Sequence, residues 1–467
     1  MPQKITINPV TRISGFMEIN ADVDNGAVVN AKTKGLMFRG FEQMLVGRNP
    51  FDAVYFTERI CGICSTAHSM ASTLALESVM GIEVTEQGRY LRDIIHGSEF
   101  LQNHLRHFFQ MTIPDYVKMP QNFPLLNARH NDYRLPKEIN DRIVKNYFDS
   151  LELSRSAHQM VAIFGGKAPH NHGIFIGGAT MQATSDKVIS MLSILDSIQT
   201  FIEEKMLPDV YDIAKYYPEY YQIGGGYGNL LSYGIFDHYK ELGTLYVDPL
   251  VYTNGDITPF NPDRIAEVSD YSWCKNLEPQ DLYHQPIEDT KDLKAYTWVK
   301  APRYENKPFE VGPLARQWLS GEYRNGISAM DRTIARVLEA KKICAVLKTL
   351  LENLRPGINF QQVYEVSVGG KGSGLIDTTR GALGHWVSVE NRQILTYQII
   401  TPSAWNFCAR DDEHPGVAER ALIGTPVQDV KDPVEIGRVI RSFDPCISCA
   451  THVYTAGQYV KTLEVNV

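Results

Sequence analysis

Arg59-Ile60-Cys61-Gly62-Ile63-Cys64-Ser65-Thr66-Ala67-His68 runs without a break into Ser69-Met70-Ala71-Ser72-Thr73-Leu74-Ala75-Leu76-Glu77-Ser78-Val79-Met80. Apolar residues recur at three- and four-residue spacing across Thr66–Met80, the period of a buried helix, so the cysteine pair is expected just ahead of a long helix. Two residues between cysteines let both sulfurs face one ion, and thiolates select soft or borderline metals. A second pair stands at the far end, in Asp444-Pro445-Cys446-Ile447-Ser448-Cys449-Ala450-Thr451-His452, again followed closely by a histidine. A site closed by the two ends of so long a chain implies one buried centre inside a single intertwined body. Spacing alone leaves three readings open: a structural zinc site, two separate redox pairs, or a catalytic metal. Zinc ribbons usually place their pairs roughly 15–20 residues apart, far closer than here.

Outward from this stretch the same period predicts further helices over Tyr90–Met111, Lys137–Phe164, Ser185–Lys215 and Ile327–Leu354, the last ended by Arg355-Pro356-Gly357. Alternation predicts short strands at Lys4–Asn8, Gly15–Asp22 and Ala27–Lys32, with Asn25-Gly26 as a turn. Further strands are expected at Thr244–Val251, Gln362–Val368, His385–Val389 and Gln393–Ile400, with a turn at Glu390-Asn391. The expected fold class is α+β and helix-dominated, with long central helices and small N-terminal and peripheral β-sheets. One catalytic domain, 1–467, would comprise an N-terminal β segment (1–35), a helical body (50–223), an irregular or β excursion (224–313) and a C-terminal helix and strands (314–467) closing the metal site.

Composition excludes several classes. With 46 Lys and Arg against 54 Asp and Glu, the net charge is −8, without the concentrated basic face of a nucleic-acid binder. No apolar run reaches the roughly 18 residues of a membrane span. The start, Met1-Pro2-Gln3-Lys4-Ile5-Thr6, lacks the apolar core of a secretory signal, so a cytoplasmic protein is expected. Seven cysteines, an odd and sparse count, do not describe a disulfide framework. Outside the pairs only Cys274, Cys344 and Cys408 remain, one short of the four thiolates an iron–sulfur cubane usually needs. If the pairs hold a redox metal, electrons must therefore leave through another subunit.

Arg-x-Cys-Gly-x-Cys-x-x-x-His near the start and Asp-Pro-Cys-x-x-Cys-x-x-His at the end resemble the paired signatures of nickel–iron hydrogenase large subunits. Phe38-Arg39-Gly40-Phe41-Glu42, Phe164-Gly165-Gly166-Lys167-Ala168-Pro169-His170, Arg380-Gly381-Ala382-Leu383-Gly384-His385-Trp386 and Thr401-Pro402-Ser403-Ala404-Trp405-Asn406 resemble further family segments, in the family's order. The resemblance implies nickel held by Cys61, Cys64, Cys446 and Cys449, with Cys64 and Cys449 bridging to an iron that carries carbon monoxide and two cyanides. It implies Cys446 as terminal proton acceptor, Arg380 over the open metal position beside Asp444, and His68 hydrogen-bonded to a bridging sulfur. Leu383, Thr401 and Pro402 would surround the diatomic ligands, Ser403 would donate to a cyanide, and Glu42 and His452 would ligate magnesium. The implied reaction is reversible cleavage of dihydrogen to protons and electrons, the latter passed to an iron–sulfur small subunit. The expected setting is a soluble complex with a flavin module using NAD(P) or ferredoxin. Competing functions are a dihydrogen sensor and a complex I-like relative; retention of all four cysteines counts against the second.

The sequence also departs from the family. A glutamate that commonly starts the proton route is Ser14, an acidic residue above the site is Asn103, and a proline before the arginine is Thr379. A serine relays a proton but cannot store one near neutral pH, so a route through Ser14, Thr379 and water is expected. Fifteen residues, Val453–Val467, follow the terminal histidine where a maturation protease commonly cuts. Gly165-Gly166-Lys167 and Gly369-Gly370-Lys371-Gly372-Ser373 lack the spacing of a phosphate loop. His104 and His107 are expected to be hydrogen-bonded packing residues of a helix.

Overall fold

The computed structural model describes residues 2–120, 130–358 and 360–450, except for the side chains of Cys449 and Ala450; His452 and the tail Val453–Val467 lie outside them. Alternating side chains make the N-terminal segment a three-stranded antiparallel sheet of Gln3–Ile7, Met17–Asp24 and Ala27–Gly35. Met17, Ile19, Ala21 and Val23 form its buried face. Asn25 and Gly26 carry the two positive φ angles, +50° and +76°, that a tight two-residue hairpin turn requires.

The helical body follows the apolar period. Its main members are Ser65–Met80, Glu86–Arg106, Lys137–Gly165, Ser185–Phe201, Leu207–Tyr216 and Ala329–Asn353. Thr85 accepts from the amide of Gly88 (3.2 Å) and Ser328 from that of Asp331 (3.1 Å), capping two of the central helices. Two expected helices are interrupted. Tyr90–Met111 is α-helical to Arg106 and then widens into a π-helical turn, His107–Thr112. Ser185–Lys215 is broken by a π-helical turn, Ile202–Met206, just ahead of Pro208, which has no N–H for an intrahelical bond.

Behind the site, Ser65–Met80 lies against the antiparallel hairpin of Gly370–Thr378 and Gly381–Glu390, continued by Gln393–Ile400. A Cβ on Gly374 would sit 2.0 Å from the carbonyl oxygen of Ala71, so glycine there lets strand and helix backbones touch. This explains a misplacement. Gln362–Val368, rich in valine, is not a strand, and Val363 is 93% exposed, whereas the glycine-rich Gly370–Thr378 is one. Similarly, the strand expected at Thr244–Val251 is Leu250–Thr253, and the turn after Glu390 is made by Asn391 and Arg392, both with positive φ. Residues 224–313 carry short paired strands such as Ile265–Val268 with Ala301–Tyr304.

The N-terminal segment around Ser14 meets the Cys446 turn. Ser14 donates its amide to the Pro445 carbonyl (3.1 Å), and the Ile447 amide donates to the Ser14 carbonyl (2.7 Å). Gly15 (φ +88°) permits this approach, since a Cβ there would lie 2.4 Å from the amide nitrogen of Ser448. Among the described residues no helix is long and apolar enough to cross a membrane.

Candidate metal centre

The turn Cys61–Cys64 links the helix Asp52–Glu58 to Ser65–Met80, while Cys446 immediately precedes the short helix Ile447–Ala450. The Sγ atoms of Cys61, Cys64 and Cys446 lie within 4.8 Å of one another, all buried, and those of Cys61 and Cys446 are 3.4 Å apart. Cys449 stands on the Ile447–Ala450 helix, its side chain outside the described residues, as is His452. The Ile63 amide donates to Cys61 Sγ (3.3 Å), a contact that favours a thiolate. Arg39 ties the two turns together: its Nη2 donates to the carbonyls of Ile60 and of Ser448 (2.7 Å), and Nη1 to that of Arg59 (3.2 Å).

Beside the sulfurs is a cavity of about 10 Å³, room for roughly one water-sized group. Cys64, Ala67, His68, Thr378, Arg380, Leu383, Pro402, Ser403 and Cys446 line it. Thr401 instead caps the helix Pro402–Asn406, accepting from Ala404 N (3.2 Å). Ser403 Oγ accepts from the Cys446 amide (3.0 Å), leaving its hydroxyl proton available to another acceptor.

Arg380 is both cavity wall and ion-pair partner. Its Nε lies 3.0 Å from Asp444 Oδ1, its Nη2 donates to Asn103 Oδ1 (2.8 Å), and Nη1 is buried without a hydrogen-bond partner among the described residues. Asn103 donates onward from Nδ2 to Asp444 Oδ2 (2.8 Å), and Arg336 Nη1 approaches the same oxygen (3.2 Å). Burial alone would raise the Asp444 carboxyl, but Arg380, His107 and Arg336 outweigh it and hold it well below the usual range. The residue is therefore an anion throughout the neutral region. His104 pairs with Glu339 (2.7 Å) and His107 with the Arg441 carbonyl (2.8 Å), as expected of packing histidines.

His68 Nδ1 is 3.2 Å from His385 Nε2, whose Nδ1 is 2.8 Å from the Tyr397 hydroxyl. Burial pulls His68 down to about 4, so the ring is neutral and one of its nitrogens carries no proton. On the other side of the hairpin, Glu42 Oε1 accepts from the Ile399 amide (2.9 Å) within a buried polar cluster. Lys300 Nζ lies 2.5 Å from Glu267 and 3.7 Å from Glu42, and Gln398 donates to Glu267 (2.5 Å). Burial, against the pull of Lys300, pushes Glu267 up to about 7. The oxygens Glu267 Oε1 and Gln398 Oε1 are buried without hydrogen-bond partners among the described residues, a donor set that suits a hard cation.

The structure thus gathers Cys61, Cys64, Cys446, His68, Arg380, Leu383, Pro402, Ser403 and Asp444 into one place, with Glu42 in a separate cluster. Sequence reasoning missed Arg39 as a clamp, Ala67 and Thr378 in the cavity wall, and Lys300, Glu267 and Gln398 around Glu42. None carries a local pattern; each acts through a partner distant in the chain.

A family model described as nickel-dependent hydrogenase matches residues 39–123, 120–326 and 319–452. The periplasmic [NiFeSe] hydrogenase large subunit of Desulfomicrobium baculatum is 35% identical over 97% of this chain and 95% of its own length. The hydrogenase-2 large chain of Escherichia coli is 29% identical over the whole of both chains. The solved Ni-Fe-Se hydrogenase from D. vulgaris Hildenborough superposes with a TM-score of 0.92 at 36% identity, covering 97% of this chain and 100% of the other. The expectation of a cytoplasmic protein is corrected by the periplasmic relative, and the NAD(P)- or ferredoxin-linked complex expected with it loses its support. The fold, the gathered cysteines and these matches agree: the chain belongs to the nickel-dependent hydrogenase family and is the catalytic large subunit of an oxidoreductase acting on dihydrogen, built to pair with a small subunit.

Proposed function

We propose that Cys61, Cys64, Cys446 and Cys449 hold the nickel, with Cys64 and Cys449 shared with an iron carrying carbon monoxide and two cyanides. When bound, that centre supplies the acceptor for the electron pair of dihydrogen. The remaining work falls to this chain's side chains. Cys446, a terminal thiolate beside the cavity, takes the proton at its sulfur. Arg380 presents Nη1 to the small space where dihydrogen would sit, fixed there by Asp444 and Asn103. Leu383 and Pro402 keep the iron side apolar, while the Ser403 hydroxyl donates to one cyanide and Thr401 sets the start of its helix. His68 tunes a bridging sulfur. Glu42 and His452 hold a magnesium ion, with Glu267 and Gln398 as neighbouring oxygen donors. The small subunit carries the iron–sulfur clusters that accept the electrons, and a maturation protease is a partner if the tail beyond His452 is cleaved. The four segments 1–35, 50–223, 224–313 and 314–467 work as one catalytic domain.

One observation carries this reading: three buried sulfurs from opposite ends of the chain converge within 4.8 Å beside a buried arginine nitrogen that has no partner among the described residues. Infrared bands of metal-bound carbon monoxide and cyanide, measured on protein with nickel and iron quantified, test it. Fully loaded protein without those bands, or containing zinc in place of nickel, would overturn it.

A further inference from the structure

Each dihydrogen split releases two electrons to the partner and two protons that must cross a buried shell to solvent. On the Cys446 side the group next to the turn is Ser14, whose Oγ meets Ser448 Oγ (3.3 Å), and a hydroxyl cannot store a proton near neutral pH. Asp444 cannot either, being locked as an anion by its cations. The Cys61 side is different, because two carboxyl groups are buried there.

Glu99 projects from the helix Glu86–Arg106 one turn before Asn103, and therefore on the same face. Its oxygens accept from the backbone amides of Thr66 (2.8 Å) and Ala67 (3.1 Å), in the first turn after Cys64. A polar seam leads away from this point. Ser69 Oγ donates to the Thr66 carbonyl (2.9 Å), and Asn171 Nδ2 donates to Ser69 Oγ (3.0 Å) and Glu58 Oε1 (3.3 Å). Glu58 Oε2 then accepts from Arg59 Nη1 (3.0 Å), on a side chain that is 45% exposed.

We infer that Glu99 and Glu58 are the proton-carrying groups of an exit on the Cys61 side of the centre. This rests on the reading of Cys61 and Cys446 as terminal nickel thiolates, their sulfurs 3.4 Å apart. A proton released at Cys446 passes to the Cys61 edge, is held by Glu99, moves through the seam with bridging water to Glu58, and leaves beside Arg59. No bond other than those to the moving proton changes, and the electrons take their separate path. The electrostatics match this order. Burial raises Glu99 to about 8 against the Thr66 and Ala67 amides, with the Cys61 sulfur adding to the rise. Burial raises Glu58 to about 8 despite Arg59 and Lys167, with Glu99 adding to the rise. Each can therefore hold or release a proton in the neutral region. The plainer role for Glu99 is to cap the helix Ser65–Met80, and the experiment has to separate the two.

The test uses the nickel-loaded complex of wild type, Glu99→Gln, Glu99→Asp, Glu58→Gln and Ser14→Ala. Nickel and iron contents and the infrared bands of each come first, and they judge the metal assignment separately. Deuterium exchange between D2 and water, with dye-linked dihydrogen oxidation, then reads the exit. Glu99→Gln and Glu58→Gln are expected to slow both by at least about tenfold with metals and bands intact, and Glu99→Asp to recover most of the rate. Wild-type exchange in both glutamine variants overturns the inference, as does loss of exchange in Ser14→Ala alone. If Glu99→Gln fails to load metal, as a purely capping role predicts, Glu58→Gln decides, since it does not touch that helix start; wild-type exchange there overturns the inference.

Discussion

Arg380 grips Asp444 twice, Nε lying 3.0 Å from the carboxylate and 3.1 Å from the backbone carbonyl of the same residue. Asp444 sits at φ +60°, a left-handed conformation that is uncommon for a residue with a side chain, and it directly precedes Pro445 and Cys446. The arginine thus fixes the turn that carries the Cys446 sulfur, while its own Nη1 has no hydrogen-bond partner among the described residues.

Replacing the planar fork by a flexible ammonium should keep the charge and lose the geometry. Arg380→Lys is expected to lose about a hundredfold in dihydrogen turnover per nickel bound. Dye-linked oxidation normalised to nickel content checks it; a variant retaining half the wild-type rate would remove Arg380 from the mechanism.

Arg39 joins carbonyls from both cysteine turns, so its loss should loosen the site before any chemistry. Charge-assisted hydrogen bonds contribute about 1.5–3 kcal/mol each. Arg39→Ala is expected to lower the nickel retained after dialysis against a chelator to below about half, while Arg39→Lys, which keeps a donor, is intermediate. Equal retention in all three proteins would mean the clamp is dispensable.

Gly15 stands at φ +88° with the Ser448 amide where a Cβ would be. Gly15→Ala must push the N-terminal segment off the Cys446 turn, at a cost of about 1–3 kcal/mol. The expected result is a lower unfolding midpoint together with reduced nickel loading. A loss of stability without a loss of nickel would show that this contact does not shape the site.

Away from the metal, Asp209 is buried and accepts from Arg142 (3.0 Å) and Asn146 (2.8 Å). Burial outweighs these donors and raises the carboxyl to about 6. The folded chain then binds this proton more tightly than the unfolded one, so the contribution is present below about pH 4 and is lost as pH rises through about 6. The difference is of order 2–3 kcal/mol. Asp209→Asn should flatten the fall in denaturation midpoint between pH 4 and 6 to that extent. An unchanged slope in urea titrations across that window would show that Asp209 does not titrate there.

The amino-acid sequence by itself determined the helical body, the N-terminal hairpin, the four cysteines and the family they belong to. These are encoded by short-range regularities: an apolar period, a turn dipeptide, two residues between sulfurs. Glycine hid the strand Gly370–Thr378 because its reason for being a strand is contact with the Ser65–Met80 helix, not its own side chains. Only the tertiary structure decided what surrounds the sulfurs. Arg39 reaching Ser448, Asn103 lying between Arg380 and Asp444, Lys300 beside Glu42 and Glu99 beneath Thr66 all join residues far apart in the chain. Charge and hydrogen-bonding chemistry at such points depend on burial and on which partner arrives, and neither is written in the local order of residues.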